Sequence, residues 1–108
     1  MENRAWKWEE TPSIQGKVIV VTGGNTGLGY EAANVFAKKG ATVVLACRSL
    51  PRGEDAKKKI LADTPNAHVE VMKLDLASLT SIRDFVQAFK SKYTRLDILL
   101  NNAGIMTI

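Results

Sequence analysis

The 108-residue sequence predicts an α/β fold, a doubly wound parallel sheet of βαβαβαβ topology with strand order 3-2-1-4. Two observations carry this expectation. Four short runs rich in β-branched residues alternate with three longer stretches of helical period, the pattern of right-handed strand-helix-strand crossovers. The first two runs are continuously apolar, which marks strands covered on both faces.

Residues 1–16 are polar and aperiodic, contain Pro12 and end at Gly16, so they read as a leader lying on the surface. Trp6 and Trp8 are expected to pin that leader to an apolar edge, with a partner contact as the other reading. Lys17 to Thr22 is the first strand, bounded by glycines. Leu28, Ala32, Val35 and Phe36 then fall at i, i+4, i+7 and i+8, one stripe of a helix that ends at Gly40. Ala41 to Ala46 is a second buried strand. Pro51 sits where the first helical turn tolerates it, and Ala56, Ile60 and Leu61 supply a second, more charged helix that stops before Pro65. Val69 to Met72 is the third strand. Ser78 or Ser81 caps a third helix with the stripe Ile82, Phe85, Val86, Phe89 and Tyr93. Leu96 to Asn101 is the fourth strand.

Composition removes whole classes of function. An eight-stranded barrel needs about 250 residues, and a two-half dinucleotide-binding sheet also exceeds this length. The single cysteine, Cys47, excludes an internal disulfide and fits a reducing compartment; it reads as a small core residue with no histidine near it in sequence. His68 reads as an edge residue, and no metal-binding cluster is expected. Apolar runs are far shorter than the roughly 20 residues of a membrane span. With no secretory signal at the N-terminus, a cytoplasmic protein is expected. The net charge of +4 is mild, but between Lys38 and Lys59 seven basic residues face only Glu54 and Asp55. Its aromatics are not arranged for base stacking, so a nucleic-acid partner is not expected.

The chemistry-bearing residues cluster at the C-terminal ends of the predicted strands, where ligands of such sheets bind. After the first strand the chain reads Thr22-Gly23-Gly24-Asn25-Thr26-Gly27-Leu28-Gly29. Such a turn accepts positive φ, lets a diphosphate approach bare backbone, and aims a helix N-terminus at the anion. Gly23, Asn25, Thr26, Gly27, Leu28 and Gly29 are therefore candidate cofactor-binding residues. After the second strand comes Cys47-Arg48-Ser49, with no acid to hold a free ribose hydroxyl. Arg48 can instead grip a 2′-phosphate with a charge-assisted fork, so NADP(H) is expected over NAD(H). Asp75 and Leu76 follow the third strand, placed to accept from an adenine amino group and to lie against its ring. Asn101, Ala103 and Gly104 follow the fourth, where small residues admit the cofactor and asparagine can tie neighbouring strands.

These residues together resemble the short-chain dehydrogenase/reductase family, whose patterns T-G-x-x-x-G-x-G, an Asp before an apolar residue, and N-N-A-G match Thr22–Gly29, Asp75-Leu76 and Asn101-Asn102-Ala103-Gly104. Gly27-Leu28-Gly29, the stretch Val43 to Arg48 and the tryptophan-bearing leader look most like the branch containing retinol dehydrogenases and protochlorophyllide reductases. The resemblance implies a Rossmann-type fold, with residues 17–108 forming an incomplete dinucleotide-binding domain. It also implies hydride transfer between a nicotinamide and a carbonyl or alcohol substrate. The family does this with a Ser, a further Asn and a Tyr-x-x-x-Lys. Here Tyr30 is followed four positions on by Asn34, and Tyr93 by Asp97, so no catalytic residue is named. The chain is thus expected to be the N-terminal, cofactor-binding part of an oxidoreductase, truncated before its catalytic segment and inactive alone. The alternative is a non-catalytic nucleotide-binding or interaction module. Self-association is also expected, through the open edge of the fourth strand and the stripe Ile82, Phe85, Val86 and Phe89.

Overall fold

The computed structural model describes residues 14–23 and 27–101. Seven elements follow in the expected order: β1 (Val18–Thr22), α1 (Gly27–Lys38), β2 (Thr42–Cys47), α2 (Leu50–Asp63), β3 (His68–Lys73), α3 (Leu79–Lys92) and β4 (Ile98–Asn101). The strands form one parallel sheet in the order β3-β2-β1-β4.

Alternation along the strands sends successive side chains to opposite faces. Ile19, Val21, Val43, Leu45 and Cys47 pack against Ala33, Phe36 and Ala37 of α1 and Ala56 and Ile60 of α2. Val18, Val20, Val44, Ala46 and Met72 face the other way, onto Phe89 and the partly covered Ile82 and Phe85 of α3 and Tyr93 at its C-cap. All five residues of β1 are buried, which explains their continuous apolar run.

The structure departs from the expected patterns in two places. The buried line of α1 is Gly29, Ala33, Phe36 and Ala37, while Leu28 is 76% exposed. The helix is rotated so that Ala33, Phe36 and Ala37 meet the sheet and Leu28 points away from it. Residues 14–16 are not a free leader either. Ile14 is buried in the core, and Gly16 N–H donates to the carbonyl of Gly40 at 3.0 Å, so this stretch is tied to the end of α1. Trp6 and Trp8 lie outside the described residues.

A Cβ at Gly53 would lie 2.5 Å from Cγ1 of Val71 and 3.2 Å from Sγ of Cys47. Glycine inside a helix costs about 1 kcal/mol relative to alanine, and here the missing side chain lets α2 settle directly onto β2 and β3. Cys47 is buried, as its reading as a core residue requires.

At the opposite end of the sheet from the loops of interest, Asp97 sets the start of β4. Its Oδ2 accepts from Val18 N–H at 2.8 Å and from Arg95 Nε at 3.0 Å, and Arg95 reaches on to the carbonyl of Gly16 at 3.1 Å. The hydrogen bond from Val18 N–H, with smaller help from Arg95 and Lys17, holds the Asp97 carboxyl below the usual carboxylate range.

Candidate functional site

The parallel ladder continues past the formal strand ends. Gly23 N–H donates to the carbonyl of Ala46 at 2.9 Å, and Leu74 N–H to that of Cys47 at 2.8 Å. These two bonds align the exits of β1, β2 and β3, and a cleft of about 650 Å³ opens there. Its walls bring together four residues singled out in the sequence: Gly23, Arg48, Asp75 and Leu76. Thr22, Ala46 and Leu74 also line it.

Gly23 and Gly27 bracket the loop with φ of 63° and 55°, values that glycine accepts without a Cβ clash. Gly29 is buried at the start of α1. Asn25 and Thr26 lie outside the described residues, as do Ala103 and Gly104. Gly27, Leu28, Gly29 and Asn101 are not part of the cleft lining. Asn101 does tie neighbouring strands: its Oδ1 accepts from the hydroxyl of Thr22 at 2.9 Å, and that hydroxyl also approaches the carbonyl of Leu100 at 3.4 Å.

Arg48 emerges from β2 as an exposed cation on the cleft wall. Ser49 caps α2, its side chain accepting from Arg52 N–H at 3.4 Å, and Gly53 N–H bonds the Ser49 carbonyl at 3.0 Å. The cap starts α2 at the cleft, and Arg52 of its first turn lines the cleft with Arg48, beside the positive end of the helix. Sequence reasoning did not single out Ser49 or Arg52 as site residues. The available signal was the spacing: Ser49 precedes Leu50-Pro51, a helix start, and Arg52 is one turn on from Arg48.

Asp75 also lines the cleft. Its carboxylate Oδ1 accepts from Ala77 N–H at 3.0 Å, its carbonyl accepts from Ser78 N–H at 3.1 Å, and its own N–H donates to the hydroxyl of Ser81 at 2.8 Å. Among the described residues Oδ2 accepts no hydrogen bond, so one carboxylate oxygen remains available to a donor in the cleft. The cleft lining thus combines two guanidinium forks, a fixed acceptor and apolar side chains, which suits a phosphorylated nucleoside. Among the described residues no group of three or more potential metal ligands occurs, and no described helix is long and apolar enough to cross a membrane.

Comparison with known proteins agrees with this geometry. The short chain dehydrogenase family matches residues 17–108. WW domain-containing oxidoreductase of Gallus gallus is 53% identical over 92 residues, covering 85% of this chain and 22% of the relative. Retinol dehydrogenase 12 of Mus musculus is 50% identical over 93 residues, covering 86% and 29%. The chain therefore spans less than a third of the length of these relatives. Among solved structures, menthone neomenthol reductase from Mentha piperita superposes with a TM-score of 0.78 at 38% identity, covering 83% of this chain and 32% of that one. The RhlG/NADP active-site complex of Pseudomonas aeruginosa gives 0.77 at 31% identity, covering 86% and 36%. On this match, and with the sheet order and loop positions described above, the chain belongs to the short-chain dehydrogenase family.

Proposed function

We propose that this chain is the cofactor-binding part of an oxidoreductase that moves hydride between NADP(H) and a carbonyl or alcohol. The cleft takes the adenosine half of the dinucleotide. The glycine loop with Gly23, Asn25, Thr26, Gly27, Leu28 and Gly29 receives the diphosphate through bare backbone and the N-terminus of α1. Asp75 and Leu76 hold the adenine, and Asn101, Ala103 and Gly104 lie along the path toward the nicotinamide. When bound, the cofactor supplies the hydride.

The observation that carries the preference for NADP(H) is that Arg48 and Arg52 line the same cleft, following a strand end with no carboxylate. Two guanidinium groups match the extra phosphate, whereas a dehydrogenase reading the free ribose places an acid there. The family relative in an NADP complex supports the same reading. Charge-assisted hydrogen bonds contribute about 1.5–3 kcal/mol, so NADPH binds roughly ten- to a hundredfold tighter than NADH. Arg48→Asp reverses the order, and Arg52→Ala weakens NADPH while leaving NADH unchanged. Fluorescence titration reads both, and equal affinities in the unmutated chain would sink the assignment.

Neither Tyr30 nor Tyr93 has a lysine four residues on, so these 108 residues contain no Tyr-x-x-x-Lys. Turnover of an aldehyde or alcohol by this chain alone is expected to be absent. Measured turnover would refute it.

A further inference from the structure

We propose that Ser81 is a positioning residue that aims the Asp75 carboxylate, and so sets the preference of the cleft for adenine over other purines. The proposal rests on the reading of the cleft as an adenosine site.

Ser81 is the third residue of α3, after the cap Ser78. In a capping box the side chain at this position reaches back to the N–H of the cap residue. Here that N–H is already taken, because Ser78 N–H donates to the carbonyl of Asp75 at 3.1 Å. The Ser81 hydroxyl reaches three residues further back and accepts from Asp75 N–H at 2.8 Å. Meanwhile Ser81 N–H donates to the Ser78 hydroxyl at 3.1 Å, so α3 and the 75–78 turn hold each other through both serines.

This arrangement fixes Asp75 at its N–H, its carbonyl and Oδ1. With those three points held, only Oδ2 is left for a ligand, and its direction is set by the backbone that Ser81 anchors. Ser81 is half-buried and is absent from the cleft lining, so any effect on a ligand there passes through Asp75. Adenine offers an amino donor at C6, where hypoxanthine carries a keto oxygen that can only accept. An acceptor held in one direction distinguishes the two, and an acceptor free to swing away does not.

The test compares binding of NADPH and of nicotinamide hypoxanthine dinucleotide phosphate to the 108-residue chain. The unmutated chain is expected to favour NADPH by about tenfold. Ser81→Ala brings the ratio close to one, and Ser81→Thr, which keeps the hydroxyl, restores it. A ratio unchanged in Ser81→Ala, or affinities for both cofactors reduced equally, overturns the positioning role while leaving the cleft assignment intact. Failure of the unmutated chain to bind either cofactor overturns the adenosine reading itself, and the proposal with it. An independent measurement needs no variant. The Asp75 amide should exchange with solvent markedly more slowly than an unbonded loop amide, and rapid exchange would overturn the proposal.

Discussion

The hydroxyl of Thr22 donates to Oδ1 of Asn101 at 2.9 Å, joining the last residue of β1 to the last residue of β4 across 79 positions of sequence. The two residues are also register partners in the sheet. Thr22 is the one polar residue in the buried core of the described structure, and this contact satisfies its hydroxyl where the glycine loop begins. Thr22→Val keeps the shape and removes the donor. It should lower stability by about 1–2 kcal/mol, because Asn101 Oδ1 loses a partner in a half-buried place. Urea denaturation measures the loss, and an unchanged midpoint would show that the contact contributes nothing.

Gly53 yields a prediction of opposite sign to helix propensity. Alanine should favour α2 by about 1 kcal/mol, yet its Cβ would meet Val71 Cγ1 at 2.5 Å. Overpacking costs about 1–3 kcal/mol, so Gly53→Ala should destabilise. Adding Val71→Ala should make the glycine replacement cheaper than it is in the unmutated chain, a coupling that a double-mutant cycle reads from thermal or urea unfolding.

At high pH, stability should fall through Tyr93. Burial, and then its hydrogen bond and proximity to the Glu70 carboxylate, push the Tyr93 hydroxyl from 10.0 up to about 12. It donates to Glu70 Oε1 at 2.5 Å, and Lys92 also engages Glu70, fastening the end of α3 to β3. Because the folded value is the higher one, this contribution is fully present below pH 10 and is lost as the pH rises toward 12. Tyr93→Phe should flatten the alkaline decline. In the folded chain, tyrosinate absorbance should show a late titration that vanishes in this variant.

At low pH the sign is reversed for Asp97. Its carboxyl is held below the ordinary 3.8, so its stabilising effect is present above that value and fades as the pH falls through the folded one. Asp97→Asn should therefore destabilise the chain at neutral pH and reduce its sensitivity to acid, as a series of unfolding midpoints against pH would show.

Among the described residues nothing pairs with the outer edge of β4, and Leu96, Ile98 and Leu99 are 45%, 36% and 57% exposed. Val86 on α3 adds to this apolar surface. An open strand edge beside exposed leucines favours association. Sedimentation of the 108-residue chain should show self-association that Leu99→Lys reduces, whereas a stable monomer at high concentration would contradict it.

By itself the sequence determined the order and type of all seven elements, because each had a strong local signature. The continuous apolar run of β1 could only be a strand covered twice, and the glycines at 23, 27 and 29 marked a turn that admits an anion. The strand order 3-2-1-4 followed from reading that loop as the start of a dinucleotide-binding fold. What local pattern could not decide was which small residues would face the sheet. The stripe through Leu28 and the line through Gly29, Ala33 and Phe36 share one helical period, and only the approach of α1 to the strands chose between them. Gly53 was equally silent, since its reason lies in Val71 and Cys47 on two different strands. The same holds in the cleft. Arg48 and Asp75 were legible at their strand ends, but Arg52 joined them through the Ser49 cap, and Ser81 through a hydroxyl reaching back six residues to Asp75. Periodicity records what each segment prefers by itself, while the site depends on distances between segments that only packing sets.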